Sequence, residues 1–359
     1  MFNPENDIAL AAGNAVFTPP KNAAILHRAG AMLPWWLGSE GDGVLVPAGD
    51  RDDAAAFASS AEERFGRGPE IASSVNGLSV GRFVPWGWSV DALSQFKRAG
   101  ATFPASDTER MNRLRQLSHR RVSRVVNQSL YDAAIGEFPP LPREVTNARD
   151  ISDIERVWGS VYVKAPWSST GRGVMCSDDM PLDELVRRTE GTIRRQGSVM
   201  VEKALDKVVD FAMLFRSDAG RVRFAGYSLF FNGRGSSYGG NLLLTDGEIE
   251  HRLSAFVSPG LLRNVADTLC QALTGLVAAD YSGDFGVDMM VYAEKTGEFR
   301  LAPCVELNLR LTMGVVAHSL TERFRGTGYE KLLVGPASAA ADNAFWLVPR
   351  NGCYFIGLV

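Results

Sequence analysis

Cysteine and histidine are both scarce in this 359-residue chain. The four cysteines lie far apart without a CxxC pair, which argues against a disulfide framework and against a zinc ribbon. The four histidines are also scattered, so a histidine-rich transition-metal site is not expected. Any metal in this protein is therefore expected to be held by oxygen ligands.

An excess of one charge and long apolar runs are missing as well. Lys and Arg number 38 against 41 Asp and Glu, a formal net charge of −3, whereas proteins that bind nucleic acids or membrane surfaces usually show a basic excess. No run approaches the roughly 18 apolar residues of a membrane span. The N-terminal segment carries two acidic residues where a signal peptide would have a basic region. These absences predict a cytoplasmic protein that binds neither nucleic acid nor membrane.

The composition is that of an ordinary globular protein, and the length predicts two or three lobes. The first third alternates short apolar runs, at 43–47 and 79–89, with an Ala-rich helical stretch at 53–64. This βα rhythm is typical of an open α/β sheet. The later part is predicted to be α+β, with its helices and strands at 181–196, 259–279, 284–292, 299–307 and in two short strands near the C-terminus.

Two capping-box patterns predict helix starts in the middle of the chain. Ser106 with Glu109 opens a helix just after a boundary at Pro104, and Ser152 with Glu155 opens a shorter one. The first helix is predicted to carry a cluster of arginines, which form a solvated face or, for one or two of them, contact phosphate. These arginines are Arg110, Arg113, Arg115, Arg120, Arg121 and Arg124.

The stretch "CVELNLRLTMG", residues 304–314, reads as a strand with a polar face. If it is extended, Glu306, Asn308 and Arg310 point to one side and the apolar residues between them to the other. Asp288 interrupts the apolar alternation of the preceding strand. Three oxygen side chains on adjacent strands suit Mg²⁺, and same-face residues about 6.6 Å apart leave room for two ions. The alternative is an edge strand whose polar residues face water.

A second segment, "VYVKAPWSSTGRGV", supplies features that bind phosphate. Lys164 sits on a strand between apolar neighbours, where an unpaired ammonium would be costly, so an anionic partner is expected. The Gly-rich loop that follows can present backbone amides and hydroxyls to phosphate oxygens. A structural lysine followed by a surface turn would give the same pattern. The strand "VMVEKAL" then ends its apolar run at Glu202, which on its own indicates a core strand with a solvated end.

The order of these segments, over roughly residues 105–325, resembles the ATP-grasp superfamily, and "VELNLR" is similar to its Glu-x-Asn-x-Arg metal strand. The resemblance implies an N-terminal open α/β (pre-ATP-grasp) domain followed by a two-subdomain ATP-grasp fold. The expected boundaries are 1–105 for the N-terminal domain, 106–196 for the first subdomain and 197–359 for the second, with the C-terminal strands.

The resemblance also implies an ATP site with a role for each matching residue. Lys164 would contact the α- and β-phosphates, and the following loop would cover the β- and γ-phosphates. "EKAL" would be the adenine hinge, and a later aspartate would bind the ribose. The loop, hinge and ribose residues are, in that order, Ser168, Ser169, Thr170, Gly171 and Gly173; Glu202, Lys203 and Leu205; and Asp210.

By the same resemblance, Asp288, Glu306 and Asn308 would hold two Mg²⁺ ions, with Mn²⁺ as an alternative metal. Arg310 would face the transferred phosphoryl group and act in catalysis with Lys164. The family's second phosphate-binding lysine has no counterpart in "LSHRRVSRVV". Arg120 or Arg121 is expected to replace it, although a planar guanidinium does not replace a point charge without rearrangement.

The implied activity is that of an ATP-dependent ligase, which joins a small-molecule or peptide carboxylate to an amine through an acyl phosphate and releases ADP and phosphate. A small-molecule kinase on the same fold and a non-catalytic nucleotide-binding protein are the alternatives. Residues 228–244 are predicted to form a mobile lid or a plain surface hairpin, with Arg234, Tyr238 and Asn241 reaching substrate in the first case. The N-terminal "FNPENDIALA" and "TPPK" are candidates for the acceptor site or for turns and caps.

Overall fold

A computed structural model of the chain describes residues 1–168, 173–233, 238–350 and 352–359. The α-helices are α1 (Asn6–Ala12), α2 (Lys21–Ala29), α3 (Arg51–Phe65), α4 (Val90–Arg98), α5 (Ser106–Leu117), α6 (Arg121–Asp132), α7 (Asp150–Trp158), α8 (Leu182–Gln196), α9 (Asp246–Leu253), α10 (Pro259–Val277) and α11 (Met313–Thr321). The strands are β1 (Gly43–Leu45), β2 (Glu70–Ala72), β3 (Arg143–Val145), β4 (Val161–Lys164), β5 (Val174–Cys176), β6 (Val199–Lys203), β7 (Asp206–Asp218), β8 (Arg221–Asn232), β9 (Tyr238–Leu242), β10 (Gly283–Ala293), β11 (Phe299–Asn308), β12 (Lys331–Pro336), β13 (Phe345–Trp346) and β14 (Tyr354–Leu358). No helix in these ranges is long and apolar enough to cross a membrane.

The N-terminal region contains less sheet than the sequence predicts. Its two short strands, β1 and β2, pair in parallel, with Val44 opposite Ile71. The apolar run at 79–89 forms no strand in the structure and makes a single bridge, from Gly87 to Arg310. Three tryptophans of this region, Trp35, Trp36 and Trp86, are buried. Its stability therefore comes from aromatic packing more than from a strand ladder.

A four-stranded sheet, in the order β3-β6-β4-β5, forms the smaller of the two main layers. Strand β6 pairs antiparallel with both β3 and β4. The predicted boundary at residue 196 assigns β6 to the second subdomain, whereas hydrogen bonding places it in this sheet. Helices α7 and α8 cover the sheet through a small apolar core that includes Ile151, Leu185 and Val201.

An eight-stranded sheet, in the order β11-β10-β7-β8-β9-β12-β14-β13, forms the larger layer. The predicted pairing of the two strands around 284–292 and 299–307 is confirmed, because β10 and β11 are antiparallel neighbours. Alternate residues of β7 face opposite sides: Phe211 and Met213 join the core under α6 and α10, whereas Ala212 and Leu214 face the N-terminal region and α11. The cavity that contains the candidate site lies on the Ala212 side.

Both predicted capping boxes are wrong in detail. Helix α5 starts at Ser106 itself, and α7 starts at Asp150, so that Ser152 lies inside the helix and neither serine caps it. The capping box that does form is Thr245 with Glu248 at the start of α9. The predicted arginine helix is also two helices, with Arg120 at the N-cap of α6.

Candidate active site

One cavity of about 470 Å³ lies between the small sheet and the large one. It brings together predicted site residues from four separate parts of the chain. Those that line it are Arg120, Lys164, Ser168, Glu202, Lys203, Leu205, Asp210, Asp288, Glu306, Asn308 and Arg310.

The predicted metal residues meet at the β10–β11 pair. Asp288 lies directly opposite Glu306, and the register shifts between Asp288 and Met290. Such an irregularity re-aims side chains and is common beside active sites. Asn308 donates a hydrogen bond from Nδ2 to Asp288 Oδ2 at 3.0 Å. Burial, with the Glu306 carboxylate nearby, raises the pKa of Asp288 to about 7.

This donor set fits a hard divalent cation. Two carboxylates and one amide oxygen are the ligands that Mg²⁺ takes from protein, its remaining positions being filled by phosphate oxygens and water. The pKa of Asp288 is raised first by burial and then by the Glu306 carboxylate, and a cation bound beside both carboxylates would offset these costs. The described ranges contain no group of three or more His, Cys, Asp or Glu side chains that could hold a metal, so Asn308 is needed to complete the set.

Arg120, rather than Arg121, reaches the cavity. Its Nη2 donates to Glu306 Oε1 at 2.7 Å, and the side chain is 7% exposed. Arg121 is directed away and interacts with Gln116 and Glu144. Within the part of the chain that the structure describes, Arg120 Nε and Ser168 Oγ are buried without a hydrogen-bond partner. Two unpartnered donors lining one cavity are suited to an anion, because an unmade buried hydrogen bond is costly.

Lys164 has the anionic partner that its position predicts. Its Nζ lies 2.6 Å from Glu202 Oε2, and both side chains are largely buried. These residues lie on neighbouring antiparallel strands, β4 and β6. Glu202 therefore holds the lysine in the cavity, which differs from the adenine-hinge role that the resemblance implies for its backbone.

The remaining hinge and ribose candidates also lie at the cavity wall. Lys203 and Leu205 line it where the chain leaves β6. Asp210 accepts hydrogen bonds from Lys207 Nζ at 2.7 Å and from Asn232 Nδ2 at 2.8 Å. The carboxylate of Asp210 is thus fixed in place by two donors before any ligand binds.

Arg310 is held by an aspartate from the other end of the chain. Asp7, on α1, accepts from Arg310 Nε at 3.0 and 3.1 Å and lies 2.9 Å from its Nη2. Asn3 fixes this arrangement by bonding both the amide and the carbonyl of Gly87, the residue that bridges to Arg310. The segment "FNPENDIALA" therefore contacts the site through Asp7.

Some predicted residues do not line this cavity or cannot be placed. Gly173, the last residue of the predicted phosphate loop, does not line the cavity. Its φ is +73°, a left-handed conformation that favours glycine, and its carbonyl accepts from the Ala165 amide. Ser169, Thr170 and Gly171, together with Arg234 of the predicted lid, lie outside the described residues. Tyr238 and Asn241 line the cavity and bond each other, the tyrosine hydroxyl donating to Asn241 Oδ1.

Asn127 and Tyr162 are among the cavity residues that sequence reasoning missed, as it also missed the pairing of Asp7 with Arg310. Asn127 on α6 is buried and donates to the Cys304 carbonyl at 2.8 Å. Tyr162 on β4 lies opposite Glu202 and also lines the cavity. The signal for Asn127 was an amide on the apolar side of an amphipathic helix, but only the packing of α6 on β11 shows where it points.

Neither protein-family models nor curated proteins give a match to this chain. Solved structures do give matches, and the three described next have low sequence identity to this chain. D-alanyl-alanine synthetase A from Vibrio cholerae is similar at 15% identity and a TM-score of 0.41, over 66% of this chain and 68% of that one. N5-carboxyaminoimidazole synthetase from Staphylococcus aureus, complexed with ADP, is similar at 13% and 0.38, over 55% and 46%.

The biotin carboxylase domain of the 2-oxoglutarate carboxylase from Hydrogenobacter thermophilus, in complex with MgADP and bicarbonate, is similar at 14% identity and a TM-score of 0.42, over 86% of this chain and 59% of that one. These three proteins are ATP-grasp enzymes, the superfamily that the sequence resembles. The chain spans less than two thirds of the length of the last two. These three TM-scores are below 0.5, so the similarity does not show what this chain does.

Proposed function

We propose that this protein is an ATP-dependent ligase that activates a carboxylate as an acyl phosphate and joins it to an amine, with release of ADP and phosphate. The observation that carries the proposal is the convergence on one cavity of Lys164 and Arg120 with the Asp288, Glu306 and Asn308 set. Cations that suit phosphate and a donor set that suits Mg²⁺ are the two requirements of phosphoryl transfer.

The nucleotide would bind with its base near Lys203 and Leu205 and its phosphates toward the β10–β11 pair. Arg120 Nε and Ser168 Oγ would gain the acceptors that they lack. Lys164 would pair with phosphate oxygens, either in place of Glu202 or together with it. Asp288, Glu306 and Asn308 would hold Mg²⁺, which would supply positive charge against the phosphates when bound.

The substrate carboxylate would then attack the γ-phosphorus. A bond forms between a carboxylate oxygen and phosphorus, the bond from phosphorus to the β,γ-bridging oxygen breaks, and ADP leaves. Arg310, fixed by Asp7, would stabilise the charge on the transferred group by a preorganised contact. An amine would next attack the acyl carbon, giving an amide and inorganic phosphate after loss of a proton. No side-chain nucleophile is needed for either step.

ADP release, measured with Mg-ATP against pools of amino acids and small carboxylates, tests this function. Hydroxylamine in the assay should trap the acyl phosphate as a hydroxamate. A stable phosphate ester in place of the hydroxamate would indicate a kinase, and binding of ATP analogue without any turnover would indicate a nucleotide-binding protein.

Asn308→Ala should abolish ADP release while the fold is retained, because the amide oxygen completes the metal set. Asn264→Ala, at an exposed position on α10, is the matched control and should leave the rate unchanged. Equal rates for the two variants would show that the metal assignment is wrong.

A further inference from the structure

The cavity continues past the metal residues into a part with different chemistry. We call this part the apolar end. It is formed by the N-terminal region, by the start of α11 and by strands β12 and β14. Its apolar residues are Phe2, Leu26, Trp86, Met313, Val334 and Ile356.

The register of the large sheet shows in which direction the apolar end lies from Asp288. Asp288 lies opposite Ala212, and Ala212 lies opposite Ser228 on β8. Neighbouring strands are about 4.8 Å apart, so the Cα of Ser228 is about 10 Å from that of Asp288. Strands β9, β12 and β14 follow in that order. A carboxylate that meets the γ-phosphate at Asp288 can therefore extend its remaining atoms over β8 toward the apolar end.

Polar groups at this end are few, and they bond to one another. Asn241 is 1% exposed and donates from Nδ2 to Ser228 Oγ at 2.7 Å. Its Oδ1 accepts from the Tyr238 hydroxyl. Thr312 caps α11 by accepting from the Val315 amide. The charged lining residue that borders this end is Arg310, which precedes Thr312 and is already paired with Asp7, so a buried ionic group of a ligand would lack a free partner here.

We infer that the apolar end is a specificity subsite for an uncharged, apolar side chain of the carboxylate substrate. This inference rests on the proposed ligase function. An amino acid or short acyl compound with an aliphatic or aromatic side chain would fill the subsite. One with a charged side chain of the same length would leave that charge unpaired.

Steady-state ADP release with leucine, phenylalanine, glutamate and lysine as carboxylates tests the inference. For the apolar pair, kcat/KM should exceed that of the charged pair by at least about tenfold, since a single methylene already discriminates by that much in an apolar pocket. ADP release as fast or faster with glutamate or lysine would overturn the subsite while leaving the ligase function standing.

Met313→Glu supplies the second arm. Met313 is the first residue of α11, where an acidic side chain is favourable for the helix, so the fold should be kept. The variant should lose at least about tenfold in kcat/KM for leucine and phenylalanine, with KM for Mg-ATP unchanged. Val208→Glu, at an exposed position of β7 outside the cavity wall, is the control.

Unchanged apolar kcat/KM in Met313→Glu would contradict the subsite. If no carboxylate in the series elicited ADP release, the ligase function itself would fall, and the subsite with it, whether or not an ATP analogue raised the melting temperature. ADP release that favours glutamate or lysine would overturn the subsite alone, so turnover across the series separates failure of the subsite from failure of the function.

Discussion

The two ends of the cavity use opposite chemistry within one wall. The end that contains Asp288, Glu306 and Asn308 is called the metal end. Its basic side chains are paired with carboxylates: Arg120 with Glu306, Lys164 with Glu202 and Arg310 with Asp7. At the apolar end, the buried polar groups of Ser228, Asn241 and Tyr238 bond to one another. This difference indicates which end can exchange its ionic or hydrogen-bonding partners for those of a ligand. A phosphate and a divalent cation arriving together can take over both halves of an ion pair, whereas a satisfied neutral network offers a ligand only shape.

Of the variants considered, Glu306→Gln should reduce ADP release the most, by a change confined to the metal end. The amide still accepts a hydrogen bond from Arg120, so the fold should be retained, but the charge proposed to hold the metal is lost. We expect kcat for ADP release to fall at least about 100-fold, the scale on which losing preorganised charge stabilisation acts. Val334→Ala at the apolar end should leave Mg-ATP binding unchanged. Normal ADP release in Glu306→Gln would show that the metal end has no greater part in turnover than the apolar end.

Lys164→Met tests whether the cation at the metal end binds phosphate or only supports Glu202. Loss of one charge-assisted contact, roughly 1.5 to 3 kcal/mol, should raise KM for ATP by about 10- to 100-fold. The double variant Lys164→Met with Glu202→Gln controls for the buried carboxylate left unpaired by the single change. If the double variant regained the original KM, the lysine would be a structural residue.

Asp7→Asn should have a smaller effect, and one confined to the chemical step. Asp7 contacts Arg310 and is expected to position its guanidinium, so kcat should fall about tenfold, equivalent to roughly 1.4 kcal/mol, with KM for ATP little changed. Asp7→Glu should restore part of the loss. The matched control is Asp50→Asn, which breaks the exposed ion pair with Arg28. A rise in KM without a change in kcat would contradict a positioning role.

The sequence is informative where chemistry constrains neighbours along a strand. The alternation in "VELNLR" predicts that Glu306, Asn308 and Arg310 share a face, and all three line the cavity. Lys164 between apolar neighbours predicts a buried anionic partner, and the structure shows Glu202. These inferences need only the two-residue period of a strand and the cost of an unpaired charge.

Contacts between distant segments could not be predicted in the same way. Asp7 and Arg310 are 303 positions apart, and no local pattern links them. The two helix starts failed because a Ser-x-x-Glu spacing also occurs within a first turn, where the backbone is already helical. The N-terminal region forms fewer strands than its βα rhythm indicates because its tryptophans pack as a core without a wide sheet. In each case tertiary packing decided what the local sequence left open.

Stability, rather than turnover, should depend on His119, the residue that precedes Arg120 in the chain. Burial first, and then the Arg121 charge, lower the pKa of His119 to about 4, with Glu144 opposing and Arg115 adding to the shift. Neutral His119 accepts the Arg121 amide at Nδ1, next to the residue that reaches Glu306.

Because the pKa of His119 is lower in the folded chain than in the unfolded one, the unfolded chain binds the proton first as the pH falls. Stability is therefore complete above about pH 6.5 and falls toward pH 4. Urea unfolding at pH 7 and pH 5 should show a loss on the order of 2 kcal/mol. His119→Gln should reduce this loss because glutamine does not titrate, while its amide oxygen can still accept the Arg121 amide. His251→Gln, at an exposed position on α9, should keep the full loss. An unchanged pH dependence in His119→Gln would show that another group causes it.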